Sequence, residues 1–160
     1  MFLAQGDCRA KFLFRFGGMA GGQQIDLEST GSALTLPELE FMHIHKTGAL
    51  IRAAVTLGAA CGLIDSSQKS SLDRYAKAIG LAFQVVDDVL DYDASTSTLG
   101  KTAGKDSRQG KPTYVSSLGL ARARELADEL RAEALGALEG LGERARRLAQ
   151  LADFIVLRKF

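Results

Sequence analysis

The sequence predicts an all-α protein, a helical bundle, and three observations favour this fold class. Apolar residues recur mostly three and four positions apart, prolines occur only at positions 37 and 112, and hydrophobic residues make up 46% of the chain. A period of three to four residues is that of one helix face, and few prolines leave long helices uninterrupted. The length of 160 residues is sufficient for one compact domain.

The first helices can be placed in order. One begins near Thr35, because Glu38 follows three residues later and completes a capping box. The apolar segment 48–64 is rich in Ala and Gly, which indicates close packing on more than one side. The next helix has Ser70 or Ser71 as its N-cap. Its apolar face consists of Leu72, Tyr75, Ile79, Phe83, Val86 and Leu90.

The remaining segments predict a loop and two further helices. Residues 95–111 are polar and contain three glycines, which is typical of a loop. The first helix after this loop is marked by Leu126, Leu130 and Leu138. Gly140 and Gly142 interrupt it. The last helix is marked by Leu148, Leu151 and Ile155.

The composition excludes several function classes. The 20 Lys and Arg residues balance 19 Asp and Glu residues, so the net charge of +1 provides no field that favours nucleic acid or an anionic membrane surface. No apolar run approaches the roughly 20 residues that cross a bilayer. Cys8 and Cys61 lie far apart without metal-ligand spacing, which fits a reducing compartment. We expect a cytoplasmic protein with no nucleic-acid partner and no stable membrane insertion.

The segment "FQVVDDVLDYD" (83–93) concentrates negative charge on one face of a helix. At about 100° per residue, its polar side chains at offsets 0, 3, 4 and 7 share a face about 100° wide. These side chains, here called the acidic stripe, are Gln84, Asp87, Asp88 and Asp91. Like charges at these spacings destabilise a helix, and no basic residue lies between Lys77 and Lys101. Groups outside the helix should therefore neutralise the stripe.

Two interpretations of the acidic stripe remain open. The stripe can be a solvated helix face, or it can bind Mg²⁺, which is typically held by one or two carboxylates together with substrate phosphates. Val85, Val86, Val89 and Leu90 bury the other faces of the helix and favour the second interpretation. An acidic stripe on an interior helix is expected to line a cavity.

Cationic residues lie on both sides of this helix. The loop after it contains Lys101, Lys105, Arg108 and Lys111, which can fold back over bound phosphates. "GKT" (100–102) is not a nucleotide P-loop, because position 95 is Ser where that motif needs Gly. Before the helix, Lys46 and Thr47 can present an ammonium group and a hydroxyl to an anionic substrate, next to a helix-loosening Gly48. His43 and His45 are two residues apart and point to different sides of a helix, so we expect partly exposed histidines rather than a metal pair.

Six segments together resemble one family, the trans-polyprenyl diphosphate synthases, and in particular the bacterial farnesyl diphosphate synthases (geranyltranstransferases). They occur in the family's order and approximate spacing. The segments are "GGQQIDL" (21–27), "HKTGALI" (45–51), "FQVVDDVLDYD" (83–93), "LGKTAGKD" (99–106), "GKPTY" (110–114) and "LADFIVLRK" (151–159). The resemblance covers 18–160 and implies the C-terminal helical half of an isoprenoid-synthase fold, while 1–17 is unmatched.

The resemblance also implies roles for individual residues. Asp87, Asp88 and Asp91 correspond to the second aspartate-rich motif, in which Asp87 is the main Mg²⁺ ligand and Asp91 acts partly through water. The implied catalytic residues, which hold the allylic substrate, are Lys46, Thr47, Gln84 and Lys101. Further positions near the substrate or the metals are Gln23, Asp26, Asp106 and Lys111. Arg158 and Lys159 correspond to a basic C-terminus that closes over the site.

The implied reaction is the Mg²⁺-dependent head-to-tail condensation of isopentenyl diphosphate with an allylic diphosphate, either dimethylallyl or geranyl. The sequence has no second Asp-Asp cluster, and in the family the other half carries the first aspartate-rich motif and the isopentenyl diphosphate site. We therefore expect a homodimer-forming, truncated chain with little or no activity alone. The alternative is a non-catalytic helical partner or swapped-dimer fragment that keeps a Mg²⁺-diphosphate site. A terpene cyclase is disfavoured by Lys46, Thr47 and the Lys101 loop.

Overall fold

In this computed structural model the structure describes residues 19–29, 34–97 and 112–158. Within these ranges every regular element is helical, which confirms the predicted all-α class. The α-helices are α1 (Met19–Glu28), α2 (Leu36–His43), α3 (Ala49–Ala60), α4 (Ser66–Ser97), α5 (Tyr114–Leu118), α6 (Leu120–Leu138) and α7 (Arg146–Leu157). A π-helix (Ile44–Gly48) joins α2 to α3, and a 3₁₀ segment (Glu139–Ala145) joins α6 to α7.

Helix α4 is the centre of the fold. Its 32 residues pack mainly against α6, and also against α3, α5, α7 and the π-helix. The buried residues of α4 recur three and four apart and include Tyr75, Ile79, Ala82, Val85, Val86 and Val89. Helix α6 meets them with small buried side chains, Ala123, Ala127, Ala134 and Ala137. Small residues let the two backbones approach closely, so most of the length of α4 is interior.

Helix α4 begins earlier than the sequence prediction. Its first residue is Ser66, and the cap is formed at Asp65, whose Oδ1 accepts the Gln68 N–H at 2.8 Å. In return the Gln68 Oε1 accepts the Asp65 N–H at 3.2 Å. The prediction of Ser70 or Ser71 is wrong because the first turn of α4 is polar. The apolar periodicity starts only at Leu72, after the helix has begun.

Helix α2 begins where its capping box predicts. The Glu38 carboxylate Oε2 accepts hydrogen bonds from the Thr35 N–H at 2.9 Å and from the Thr35 hydroxyl at 2.8 Å. Pro37 lies in the first turn, where a missing N–H leaves no intrahelical hydrogen bond unmade. Helix α2 then contributes Leu39 and Met42 to the core.

Helix α3 is packed on one face only in the described part of the chain. Ile51, Val55 and Ala59, spaced four apart, pack against the core, and no residue of α3 is fully buried. On the other faces Leu50 and Leu57 are exposed, Leu57 by 70%. The prediction of close packing on more than one side is therefore wrong for these residues, because neighbouring helices cover α3 along a single line.

Helices α6 and α7 form a hairpin that is broken where the glycines predict. Gly142 has φ 56° and ψ −144°, a backbone conformation that glycine adopts without strain. Helix α7 packs on α6 and α4, and the Tyr75 hydroxyl donates to the Leu148 carbonyl at 2.9 Å. Ile155 is buried, whereas Leu151 is exposed and does not belong to the core. None of the described helices is both long and apolar enough to span a membrane.

Candidate active site

The acidic stripe divides into a buried amide and three carboxylates that face a cleft. Gln84 is only 8% exposed. Asp87, Asp88 and Asp91 line a cleft of about 1100 Å³, whose walls are the second half of α4, residues of α6 and the end of α7. Among the basic residues that the structure describes, Arg124 and Arg158 border the same cleft. The stripe thus lines a cavity between helices and is not a plain solvated face.

Asp87 is paired with Arg158, 71 residues further along the chain. The guanidinium Nη2 of Arg158 contacts Asp87 Oδ1 and donates to the Phe83 carbonyl at 3.4 Å. The guanidinium also lies over the Phe83 ring, 4.4 Å from its centroid, and the side chain is only 14% exposed. Burial raises the pKa of the Asp87 carboxyl, Arg158 opposes this rise, and the neighbouring Asp91 charge adds to it.

Asp88 is bound to the backbone of a different element. Its Oδ2 accepts the Tyr114 N–H at 2.7 Å, so the carboxylate satisfies a free amide in the first turn of α5. Thr113 is the N-cap of α5. Its side-chain hydroxyl oxygen accepts the backbone N–H of Ser116 at 3.0 Å, which satisfies a second free amide of that turn. Further along α4, Asp93 pairs with Arg124 at 2.7 Å. The predicted neutralisation by a group outside the helix is therefore present at Asp87, which pairs with Arg158, whereas the Tyr114 contact gives Asp88 an uncharged hydrogen-bond donor.

These residues fit a metal that is shared with a substrate. In the described ranges no three His, Cys, Asp or Glu side chains converge as a metal cluster. Asp88 is held by Tyr114, whereas Asp87 and Asp91 lie close enough for the Asp91 charge to affect the Asp87 pKa. One or two carboxylates at an open cleft are the protein ligands that Mg²⁺ uses together with phosphates and water. Asp87 and Asp91 would hold it.

Lys46 is brought to Asp26 by close packing of α1 against the π-helix. Lys46 Nζ lies 2.7 Å from Asp26 Oδ2, and both side chains are largely buried. The two elements touch at Gly22, where an added Cβ would overlap the backbone nitrogen of Lys46. Gln23, also on α1, is exposed, and Thr47 is partly buried.

The π-helix was not predicted, although Gly48 was expected to loosen the helix there. It comprises Ile44–Gly48 and therefore includes both Lys46 and Thr47. A π-turn widens the helix by one residue and is frequent at functional sites. Gly48 lies against Gly80 of α4, where an added Cβ would be 3.1 Å from the Gly48 Cα. The turn that carries Lys46 is thus seated directly on α4.

His43 links the π-helix region to the acidic stripe. It is only 7% exposed, so the prediction of a partly exposed side chain is wrong for His43, although His45 is partly exposed. The ring of His43 stacks on Tyr114, with centroids 5.5 Å apart. Burial lowers the pKa of His43 to about 4, the Gln84 side chain opposes this shift, and Lys46 adds to it.

The polar atoms around His43 are incompletely satisfied. Neither ring nitrogen of His43 makes a hydrogen bond of standard geometry within the described residues, although Gln84 is close enough to influence its pKa. The Tyr114 hydroxyl is likewise buried without a hydrogen bond there. Sequence reasoning assigned no role to Tyr114, and its only signal was the position after "GKPT".

Several predicted site residues lie outside the described ranges. These are Lys101, Lys105, Asp106, Arg108, Lys111 and Lys159. The structure brings Asp26 to Lys46, and Asp87, Asp88 and Asp91 to one cleft, while Gln84 lies beneath them next to His43. Gln23 is exposed on α1, the helix that also carries Asp26.

Comparisons with known proteins find one family. The model of the polyprenyl synthetase family matches residues 11–149. The farnesyl diphosphate synthase of Escherichia coli (strain K12) is 48% identical over 145 residues, which are 88% of this chain and 48% of that protein. The chloroplastic geranylgeranyl pyrophosphate synthase of Capsicum annuum is 48% identical over 143 residues, 88% of this chain and 39% of that protein.

Solved structures agree with this assignment. An FPP/GFPP synthase from Zymomonas mobilis superposes with a TM-score of 0.73 at 35% identity and covers 87% of this chain and 45% of that chain. A geranyltransferase from Helicobacter pylori, crystallised with magnesium and isoprenyl diphosphate, has a TM-score of 0.67 at 35% identity and covers 88% of this chain and 46% of that one. The chain spans less than half the length of each of these four proteins. It belongs to the polyprenyl synthetase family, as the resemblance of its motifs indicated.

Proposed function

We propose that this chain forms the allylic-diphosphate side of a Mg²⁺-dependent prenyltransferase. In the proposed reaction, isopentenyl diphosphate condenses head to tail with dimethylallyl or geranyl diphosphate. One observation carries the proposal. His43 stacks on Tyr114, whose amide binds Asp88, and His43 also lies next to Gln84. Because His43 lies one turn before Lys46, the cationic turn and the acidic stripe are neighbours.

The proposed roles follow from the charges of the groups. Asp87 and Asp91 hold Mg²⁺ together with the diphosphate, and the metal neutralises charge that develops on the leaving group. Lys46 and Lys101 bind the outer phosphate oxygens. Thr47 and Gln84 lie near the reacting carbon, where a hydroxyl and an amide oxygen can stabilise positive charge.

Further residues would complete the pocket for the substrate. Gln23, Asp26 and Lys111 are proposed to lie around the allylic diphosphate. Asp26 already orients the Lys46 ammonium group by a 2.7 Å ion pair. The buried Val86 and Val89 line the cleft beside the stripe and form an apolar wall, and a carbocation requires such protection from water.

The relatives support the same reaction class. Proteins that are 48% identical to this chain are named farnesyl diphosphate and geranylgeranyl pyrophosphate synthases. A solved relative contains magnesium and isoprenyl diphosphate. We further propose that the protein acts in the cytoplasm as a homodimer.

A second candidate function is a helical partner that retains the Mg²⁺-diphosphate site without catalysing condensation. The exposed face of α3, with Leu50 and Leu57, favours it, because apolar side chains of this size are usually covered. Light scattering distinguishes the two candidate functions. A stable monomer that does not bind an apolar dye contradicts this second function.

The first function is tested by calorimetric titration of inorganic pyrophosphate in the presence and absence of Mg²⁺. We expect pyrophosphate to bind only with Mg²⁺ and Asp87→Ala to abolish this binding. Asp93→Ala is the matched control, because Asp93 lies on the same helix and borders the same cleft but pairs with Arg124. Equal binding by wild type and Asp87→Ala would contradict the proposed site.

A further inference from the structure

Arg158 is seated on the carboxylate that the proposed function assigns to the metal. Three contacts define its position: the ion pair with Asp87, the donation to the Phe83 carbonyl at 3.4 Å, and the stacking over the Phe83 ring at 4.4 Å. The side chain is only 14% exposed. An exposed surface ion pair is mobile and weak, whereas this guanidinium is held from several sides in a partly buried position.

Arg158 and a divalent ion at the cleft would both use the Asp87 carboxylate. The guanidinium contacts Asp87 Oδ1, so a divalent ion on the same carboxylate would lie next to a fixed positive charge. Arginine stays protonated at all physiological pH values, so it cannot become neutral to accommodate the metal. A metal ion at Asp87 and Arg158 in its present position would repel each other at short range. The repulsion weakens metal binding until the guanidinium moves away.

Arg158 can move without unfolding a helix. Helix α7 ends at Leu157, and Arg158 has an extended backbone with φ −61° and ψ 147°. The Nε of Arg158 is buried and has no hydrogen-bond partner within the described residues. The present position of the side chain therefore leaves one of its N–H donors unsatisfied. The guanidinium and Asp87 border the same cleft, so an anion bound there could offer the released guanidinium new acceptors.

We propose that Arg158 is the resident counter-cation of Asp87 and competes with divalent metal ions for this carboxylate. Metal alone then binds weakly, because it must displace the guanidinium without compensation. Metal together with a diphosphate binds well, because the displaced guanidinium gains phosphate oxygens as new partners. The contact makes metal binding conditional on the anionic substrate. This inference rests on the proposed function, since it assumes that Asp87 is a metal ligand.

The test measures binding of Mn²⁺, as a paramagnetic substitute for Mg²⁺, by electron paramagnetic resonance with and without inorganic pyrophosphate. Arg158→Met removes the charge and keeps an aliphatic stem over Phe83. We expect Mn²⁺ alone to bind this variant about tenfold more tightly than wild type, or more, because an opposing cation has been removed. The enhancement by pyrophosphate should shrink by a similar factor.

Two controls separate this effect from a general loss of positive charge. Arg124→Met removes a cation that borders the same cleft but pairs with Asp93. We expect it to change Mn²⁺ affinity by less than about threefold, because Arg124 is exposed and its field is screened. Arg158→Lys keeps the charge and should bind Mn²⁺ alone about as weakly as wild type. Circular dichroism checks that each variant is folded.

The outcomes distinguish the inference from the function on which it rests. If Arg158→Met binds Mn²⁺ alone no more tightly than wild type, while Asp87→Asn abolishes Mn²⁺-pyrophosphate binding, the competition is overturned and the metal site stands. If neither wild type nor Arg158→Met binds Mn²⁺ under any condition, both are overturned. Equal gains in Arg158→Met and Arg124→Met would also overturn the competition, since they would reflect only the net charge.

Discussion

The backbone N–H of Tyr114 donates a 2.7 Å hydrogen bond to Asp88 Oδ2 and thereby joins the start of α5 to the acidic stripe of α4. This contact separates the three aspartates by role. Asp88 binds an adjacent helix, Asp87 pairs with Arg158, and Asp91 is exposed at the cleft. The three aspartates of one motif therefore have different neighbours.

Asp88→Ala is expected to destabilise the fold more than Asp91→Ala. The first leaves the partly buried Tyr114 amide without its carboxylate acceptor, which costs about 1–3 kcal/mol. The second removes an exposed carboxylate and should change the free energy of unfolding by about 0.5 kcal/mol or less. Urea unfolding followed by circular dichroism measures both values. Equal losses would contradict the anchoring role.

Stability should fall as the pH drops from 6.5 towards 4, in part because of His43. The folded-state pKa of His43 is about 4, below the unfolded value of 6.5, so the unfolded chain takes up the proton first. The contribution of neutral, buried His43 to the free energy of unfolding is fully present above pH 6.5. It is lost as the pH falls from 6.5 through 4, by about 3 kcal/mol for a pKa shift of this size. His43→Phe keeps a ring for stacking on Tyr114 and should show a shallower acid-side loss. Parallel curves for the two proteins would contradict this origin.

Gly22→Ala should be strongly destabilising and Gly136→Ala should not. A Cβ at Gly22 overlaps the backbone of Lys46, and backbone atoms cannot move aside as a side chain can. We expect a loss of about 3 kcal/mol, the upper range for overpacking. Gly136 is in the interior of α6 with no atom near its Cβ position, so alanine there should stabilise by up to about 1 kcal/mol. Thermal unfolding of both variants checks the contrast.

The 160-residue chain should show little or no turnover of geranyl and isopentenyl diphosphates with Mg²⁺. The sequence holds one aspartate-rich motif, and one motif is insufficient for the two-sided metal cluster that the resemblance implies. The measurement is incorporation of radiolabelled isopentenyl diphosphate into an extractable product. Robust turnover by the purified chain would sink this prediction, whereas Mg²⁺-dependent binding of pyrophosphate without turnover agrees with it.

The sequence predicted those features that depend on neighbouring residues. The capping box at Thr35, the break at Gly142 and the apolar faces of α4 are local patterns, and each is present. The start of α4 was predicted too late, because the first turn of this helix is polar and does not show the apolar periodicity from which helices are recognised. The burial of His43 could not be predicted from local sequence, because it depends on stacking against Tyr114, which is 71 residues further along the chain.

The partners of the acidic stripe lay beyond local patterns for the same reason. The sequence indicated that Asp87 and Asp88 need neutralising groups, since like charges on one helix face repel. Which groups supply them depends on how α5 and the end of α7 pack on α4. The separations of 26 residues for Tyr114 and 71 for Arg158 leave that choice to the tertiary fold.

The contact between Gly48 and Gly80 limits which parts of the cleft can change when the sequence varies. At this point the turn that carries Lys46 and the helix that carries the stripe meet backbone to backbone, with 3.1 Å between an added Cβ at Gly80 and the Gly48 Cα. Because no side chain separates them, the two backbones cannot come closer, and a side chain added at Gly80 would force them apart. We expect variants of this chain to keep the separation between the Lys46 turn and the acidic stripe while other parts of the cleft change.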